Sequence, residues 1–281
     1  MTIATAETNL DPSLAYWLEM AEAFAYADTY AAAADRPGNP TGAVTTAIGT
    51  AVAFALTAID FGFFNRVIGL GVTEPATEAD AEAASAFFRT AGVTQSVVHL
   101  APGARPAGLE GWLQTRGYVS GARWIKCWHD LTDVARPDPL MRIDRIAPDR
   151  ADEYAGICSS AFGFDAGLHD IASATVGRAG WAHYVGYEGD TPVATGAMRI
   201  QAGVAWLGYG STLESHRGRG WQTAMFRRRL YDAREVGAWL ACTETGEETE
   251  KLPVNHSLRN MLKTGFRAAY PRRNWVRLPG A

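Results

Sequence analysis

Cysteine is scarce in this chain, with only Cys127, Cys158 and Cys242 among 281 residues. They are odd in number and scattered, without the paired spacing of a zinc site or a disulfide framework. The expectation is a reducing, cytoplasmic setting with no metal. An excess of positive charge is also missing: 26 Lys and Arg stand against 30 Asp and Glu, for a formal net charge of −4. That balance argues against a general nucleic-acid surface, though an anion can still be held by a local nest of backbone N–H groups. A long apolar run is lacking as well. The stretch from Ala43 to Ile59, AVTTAIGTAVAFALTAI, is short for a membrane span, carries threonines and a glycine, and has no basic flanks. It reads as buried β-structure, with no membrane partner. The opening MTIATAETNLDPS has neither the basic nor the apolar region of a signal peptide, so none is expected.

What is present is enough chain for two domains. The segment Thr132–Leu140 carries two prolines and several polar residues, as an exposed linker would, and places a boundary near Pro137. The expected domains are 1–136 and 137–281. In the first, Asp11–Ala34 reads as an amphipathic helix opened by Asp-Pro-Ser. Strands follow at Ala43–Leu56 and Arg66–Val72, then a helix at Glu78–Ala91 and a strand at Ser96–Leu100. A helix at Leu109–Arg116 and a strand at Ala122–His129 complete this half. In the second, the pattern gives a strand at Arg142–Ile146 and a helix at Asp149–Ala161 with an Asp cap. A hairpin of His183–Glu188 and Pro192–Ile200 turns at Gly189-Asp190. Then come a strand at Val204–Leu213, a helix at Trp221–Glu235, a strand at Trp239–Thr243, a helix at Asn255–Lys263, and closing strands at Arg267–Tyr270 and Asn274–Arg277. Both halves are mixed α/β in similar element order.

The segment that carries chemistry runs from Trp206 to Phe226, WLGYGSTLESHRGRGWQTAMF. A strand leads into a short basic, glycine-rich turn that opens directly into a helix. The leading N–H groups of that helix lack intrahelical partners, and its dipole adds partial positive charge there. Gly218 and Gly220 allow the backbone to turn inward, and Arg217 and Arg219 add charge. This is an anion site suited to phosphate oxygens, although a plain connection would look similar. A Walker loop is excluded, because no Gly-Lys-Ser/Thr follows. The dinucleotide fingerprint fits poorly in spacing and position.

Arg217-Gly-Arg-Gly-Trp-Gln222 resembles the Arg/Gln-x-x-Gly-x-Gly/Ala signature of the GNAT N-acetyltransferase superfamily, with Gln222 where a small residue is usual. Further on, Asn255–Phe266 is similar to that family's late helix ending in Gly-Phe, and Arg267–Trp275 resembles the hairpin after it. The resemblance covers about Pro139 to Val276. The fold it implies is α/β, an acyl-CoA N-acyltransferase fold, in a tandem arrangement. Leu113–Tyr118 is similar to the Gly-Phe/Tyr ending of such a domain, while the first half lacks the Arg-x-x-Gly-x-Gly turn. The first half is therefore read as a degenerate GNAT-like domain without cofactor binding, walling one side of the acceptor cleft or serving as a structural partner.

The resemblance implies an acetyl group moved from acetyl-CoA to a primary amine of a small molecule, peptide or protein. The alternative is a catalytically weak acyl-CoA-binding or sensor protein. By position, Thr212 and Leu213 offer backbone groups to pantetheine and the thioester. The N–H groups of Arg217, Gly218, Arg219, Gly220, Trp221 and Gln222 hold the pyrophosphate, and Asn255, Ser257 and Asn260 contact the pantetheine arm. Asn255 and Ser257 could equally be helix caps. An alkylamine is mostly protonated at neutral pH, so a general base is required. Glu244 leads and Glu214 follows, and either could simply be a solvated carboxylate. Many family members protonate the leaving thiolate with a tyrosine on the late helix. That position is Met261 here, leaving Tyr270, Tyr209 or water as the acid. Phe162–Asp165 and the stretch around Trp181 are expected to line the acceptor cleft. Arg227–Arg229 and Arg272-Arg273 read as solvated arginines rather than a nucleic-acid surface. The reading leaves room for a homodimer.

Overall fold

The computed structural model describes residues 11–163, 166–250 and 253–280. The chain divides into two compact units. The first holds the described residues up to Lys126, together with Glu244–Glu247 and those from Ala269 onward; the second holds Cys127–Thr243 and Glu248–Ala268. Pro137 thus lies within the second unit, and the chain's last strand lies largely within the first.

In the first unit, Asp11 caps helix α1 (Pro12–Ala34) by accepting from the Ser13 amide. The β-structure expected over 43–56 is a hairpin, β1 (Ala43–Ile48) and β2 (Ala51–Leu56). Gly49, at φ 55°, makes the turn, a conformation open to glycine and not to the β-branched residues around it. Strand β3 (Arg66–Ile68) ends early because Gly69 and Gly71 take positive φ values of 91° and 73°. Helix α2 (Glu78–Thr90), β4 (Ser96–Leu100), α3 (Leu109–Gln114) and β6 (Trp124–His129) follow near their expected places, with a short unforeseen strand, β5 (Val119–Ser120), before β6. Strands β1, β2, β3 and β4 lie in that order, with β3 parallel to β4 and the other pairs antiparallel. The apolar face of α2, with Ala84 and Phe88, packs on Ala53, Val67, Val98 and Leu113.

Helix α1 departs from simple amphipathicity. It buries Glu19 and Glu22 completely, among Arg66, Lys126 and Arg272, each at most 1% exposed. Lys126 Nζ lies 2.8 Å from Glu22 and 3.1 Å from Glu244. Arg272 donates to Glu19 at 2.9 Å and also pairs with Glu22. The Arg66 guanidinium lies 3.9 Å above the Tyr26 ring. Three carboxylates thus meet three cations out of water, where their mutual attraction offsets a large desolvation cost.

In the second unit, β7 (Arg142–Arg145) leads through a 3-10 turn at Pro148–Arg150 into α4 (Ala151–Phe162). Asp149 falls in that turn and does not cap the helix, whose N-cap is Arg150 without a side-chain bond. A further helix, α5 (Ala166–Ser173), was not foreseen. Then come β8 (Trp181–Glu188), β9 (Thr191–Gln201), β10 (Val204–Thr212), α6 (Trp221–Glu235), β11 (Leu240–Gly246) and α7 (His256–Lys263). Arg267–Arg277 is one continuous strand, β12, rather than two; from Arg273 to Arg277 it pairs antiparallel with β4. The second unit's strands run β11-β10-β9-β8-β7, with only β10 and β11 parallel. The α4 residue Tyr154 packs on His183, whereas Asp232 of α6 accepts from Tyr184. Neighbouring strand residues point to opposite faces, so α4 and α6 cover the two sides of this sheet.

Candidate acyl-donor site

Strand β10 opens on one edge and bends on the other. It pairs with β11 only from Val204↔Leu240 to Trp206↔Cys242, so Leu207 to Thr212 have no paired register on that side. Toward β9 the register slips between Gly208, opposite Ala197, and Ser211, opposite Thr195. Tyr209 in the bulge takes φ 51°, unusual for a side chain of its size. Its carbonyl accepts from Thr195 Oγ1 on β9 at 3.0 Å. A trans peptide sets N–H opposite to C=O, so the Gly210 amide points away from the Thr195 hydroxyl.

Past the bulge, β10 enters a 3-10 turn at Glu214–His216 and then the loop Arg217–Gly220. Gly218 and Gly220 take φ 78° and 90°, with open space where a Cβ would stand. Gly220 is the N-cap of α6 and makes no side-chain cap bond, which leaves the leading amides of a 15-residue helix available to an anion. Helix α2 in the first unit is the opposite case. Thr77 and Asp80 form a closed capping box there, and Glu78 and Asp80 place negative charge in its first turn. An anion meets satisfied donors and like charge at that end.

A cavity of about 770 Å³ opens at the start of α6. It gathers Thr212, Arg217, Gly218, Gly220, Trp221, Gln222 and Asn260 from the expected set. Gly210, Ser211, His216, Thr223, His256 and Lys263 join them and were not singled out from the sequence. Gly208 and Gly210 inside a strand were the available signal for the bulge. Leu213 does not line the cavity, and its amide is already bonded to Val193 O at 2.9 Å. Arg219 pairs with Glu188 at 2.9 Å. Asn255 is the N-cap of α7, accepting from Leu258 N at 3.1 Å. Ser257 Oγ accepts from Gln222 Nε2 at 3.0 Å, and Asn260 donates to Gln222 Oε1 at 2.7 Å. The amide that replaces the usual small residue therefore ties α6 to α7.

The catalytic candidates are held differently. Glu214 is exposed at the head of the 3-10 turn. Glu244 belongs to the first unit's ionic cluster, where burial and then the Glu22 charge raise its pKa while Lys126 opposes them. Tyr270 is buried in the same unit and donates to Glu19 at 2.8 Å; burial, with Glu19 beside it, pushes its phenol well up. Met261 is buried on α7. Trp181 packs edge-on against Trp206 in the core, Phe162 lines the cavity, and Phe164 and Asp165 lie outside the described residues. The arginine runs are a correction: Arg229 and Arg272 are at most 1% exposed rather than solvated, because each finds partners inside its unit.

This fold, an open mixed sheet with a bulged central strand leading into a glycine turn and helix, is that of the GNAT N-acyltransferases in tandem arrangement. A GCN5-related N-acetyltransferase from Kribbella flavida is 19% identical, with a TM-score of 0.63 over 94% of this chain and 96% of that one. Another from Sphaerobacter thermophilus is 14% identical, at TM-score 0.57 over 96% and 95%. A tandem GNAT protein from the clavulanic acid biosynthesis pathway is 16% identical, at TM-score 0.56 over 95% of each chain. No family model and no curated protein matches the chain. Among the described residues, no helix is long and apolar enough to cross a membrane.

Proposed function

We propose that the second unit binds a coenzyme A thioester and transfers its acyl group, acetyl in the simplest case, to a primary amine of a small molecule or peptide. The observation that carries this reading is the uncapped start of α6 opening on a cavity beside a bulged, half-unpaired strand. The chain's residues fit the donor. Amides from Gly218 to Gln222 face the pyrophosphate, the Arg217 amide being bonded to Glu214 O at 3.2 Å; the Arg217 side chain adds charge, and Thr212 and Asn260 border the pantetheine. The amide of Gly210, a residue of the cavity wall, is proposed to support the oxyanion that develops at the thioester carbonyl. In the reaction the amine nitrogen bonds to that carbonyl carbon, the C–S bond breaks, and the thiolate leaves and takes up a proton. Glu214, which stands in the second unit between the cavity residues Thr212 and His216, is proposed as the base. Localisation in the cytoplasm accords with three buried free thiols.

A second reading, an acyl-CoA-binding protein with little turnover, is favoured by Met261, which stands where a tyrosine acid is expected. One experiment separates the two. The protein is incubated with acetyl-CoA and a panel of amines while free thiol is followed, with CoA affinity measured alongside. Amine-dependent thiol release, lowered in Glu214→Gln, supports transfer. Binding with no release from any amine supports the second reading, and absence of binding overturns both.

A further inference from the structure

Arg229, on the third turn of α6, is 1% exposed, yet no carboxylate pairs with it among the described residues. A buried cation without a counterion is costly, and burial pushes its pKa down to about 10, against the pull of Tyr154 and Tyr184. What it does have are carbonyls. Its Nη1 donates to Ala197 O at 2.9 Å and to Gly208 O at 3.0 Å, while Nε donates to Met225 O at 3.2 Å. Ala197 on β9 and Gly208 on β10 are the last register pair before the bulge. One guanidinium therefore pins both strands at the point where the slip begins.

The space for it is built into the backbone. A Cβ on Gly196 would come 3.0 Å from Arg229 Cζ, and 2.8 and 2.9 Å from Cγ and Sδ of Met225. A Cβ on Gly210 would have Arg229 Nη2, at 3.5 Å, as its nearest neighbour. The guanidinium thus lies directly behind Gly210, a residue of the cavity wall. The Gly208 carbonyl is held by Arg229 of α6, and the Tyr209 carbonyl by Thr195, whose hydroxyl lies 3.8 Å from Cys158 of α4, so the two peptides of the bulge are held from opposite sides of the sheet.

We propose that Arg229 is a positioning residue for the acyl transfer. By holding the Gly208 carbonyl it fixes the Gly208–Tyr209 peptide at the start of the bulge, and so steadies the adjoining Tyr209–Gly210 peptide whose amide is to meet the thioester carbonyl. This rests on the acyl-donor reading of the cavity. A donor held in place before reaction acts without reorganisation, so its misplacement lowers the chemical step more than it lowers binding.

The test uses the full chain, with CoA affinity, the KM for acetyl-CoA and kcat measured for wild type, Arg229→Gln, Arg229→Lys and Gly196→Ala. Gly196→Ala keeps the charge but crowds the guanidinium together with Met225, so it serves if Arg229→Gln does not fold. The expected result is a fall in kcat of about 10²-fold in Arg229→Gln, with CoA affinity and KM within about twofold. Arg229→Lys should recover part of kcat, and Gly196→Ala should lower it with the charge intact. A folded Arg229→Gln or Gly196→Ala with wild-type kcat overturns the proposal and leaves the donor reading standing. So does a loss confined to affinity and thermal stability, as a merely structural arginine would give. Wild-type protein that binds no CoA overturns the donor reading, and this proposal with it.

Discussion

Arg217 and Arg219 stand two residues apart on one turn, yet their guanidinium groups keep different company. Arg219 is engaged with both oxygens of Glu188, at 3.0 and 2.9 Å, whereas Arg217 lines the cavity and donates to Ala161 O at 3.1 Å. The two are therefore unequal as phosphate partners. Arg217→Glu should weaken CoA binding about tenfold, equivalent to about 1.4 kcal/mol. Arg219→Glu should weaken it about twofold, since it removes a charge already committed to an exposed pair that itself contributes little. Titration calorimetry on each single variant measures the difference, and equal losses would contradict it. Gln222, the departure from the usual small residue, is explained at this scale too. Its amide accepts from Asn260 and donates to Ser257, so it joins two helices at the cavity's edge.

Strand β10 concentrates the consequences of glycine in an element. Gly208 faces the Trp206 ring so closely that an added Cβ would fall 2.0 Å from Cη2 of the indole. Trp206 is 1% exposed and wedged against Trp181, so it has nowhere to retreat. Gly208→Ala should cost about 1–3 kcal/mol by overpacking, read as a lower urea midpoint; an unchanged midpoint would show the ring to be movable. Elements of this kind were partly legible in the sequence. The glycine turn and α6 were placed to the residue because Gly218, Gly220 and the helical spacing from Trp221 act locally. The bulge was not, because Gly208 and Gly210 signal only an irregular strand, and the slip itself depends on how β10 pairs with β9. For the same reason Arg229 read as a solvated arginine among three, and Asn255 could be read as either ligand or cap. Turn chemistry at Gly49, Gly69 and Gly71 likewise shortened or split strands that apolar composition alone had drawn as continuous.

Over the whole molecule, each unit carries buried ionisable groups whose state is tied to folding. In the first, Lys126 is fully buried between Glu22 and Glu244. Lys126→Met would leave those carboxylates unopposed by it, and a loss of about 3–5 kcal/mol is expected, measured by urea denaturation. A loss below 1 kcal/mol would show that the cluster rearranges to compensate. In the second, burial pushes the His183 imidazole down to about 3, and in the first, burial and the nearby Arg272 hold His99 well below its usual value. Both are neutral in the fold and take up a proton on unfolding once the pH falls below about 6.5. The unfolded chain then binds more protons, so this part of the stability is present above pH 6.5 and lost as the pH falls toward 3. Urea midpoints should therefore be lower at pH 5 than at pH 7.5, and equal midpoints would contradict the buried neutral state of these rings. The central claim is that one of two similarly folded units kept an open helix start for a CoA thioester while the other closed its own with Thr77 and Asp80. Calorimetric titration of the full chain with acetyl-CoA tests it most directly. One site per chain, weakened by Arg217→Glu, is the predicted result; no binding, two equivalent sites, or one site indifferent to Arg217→Glu would contradict it.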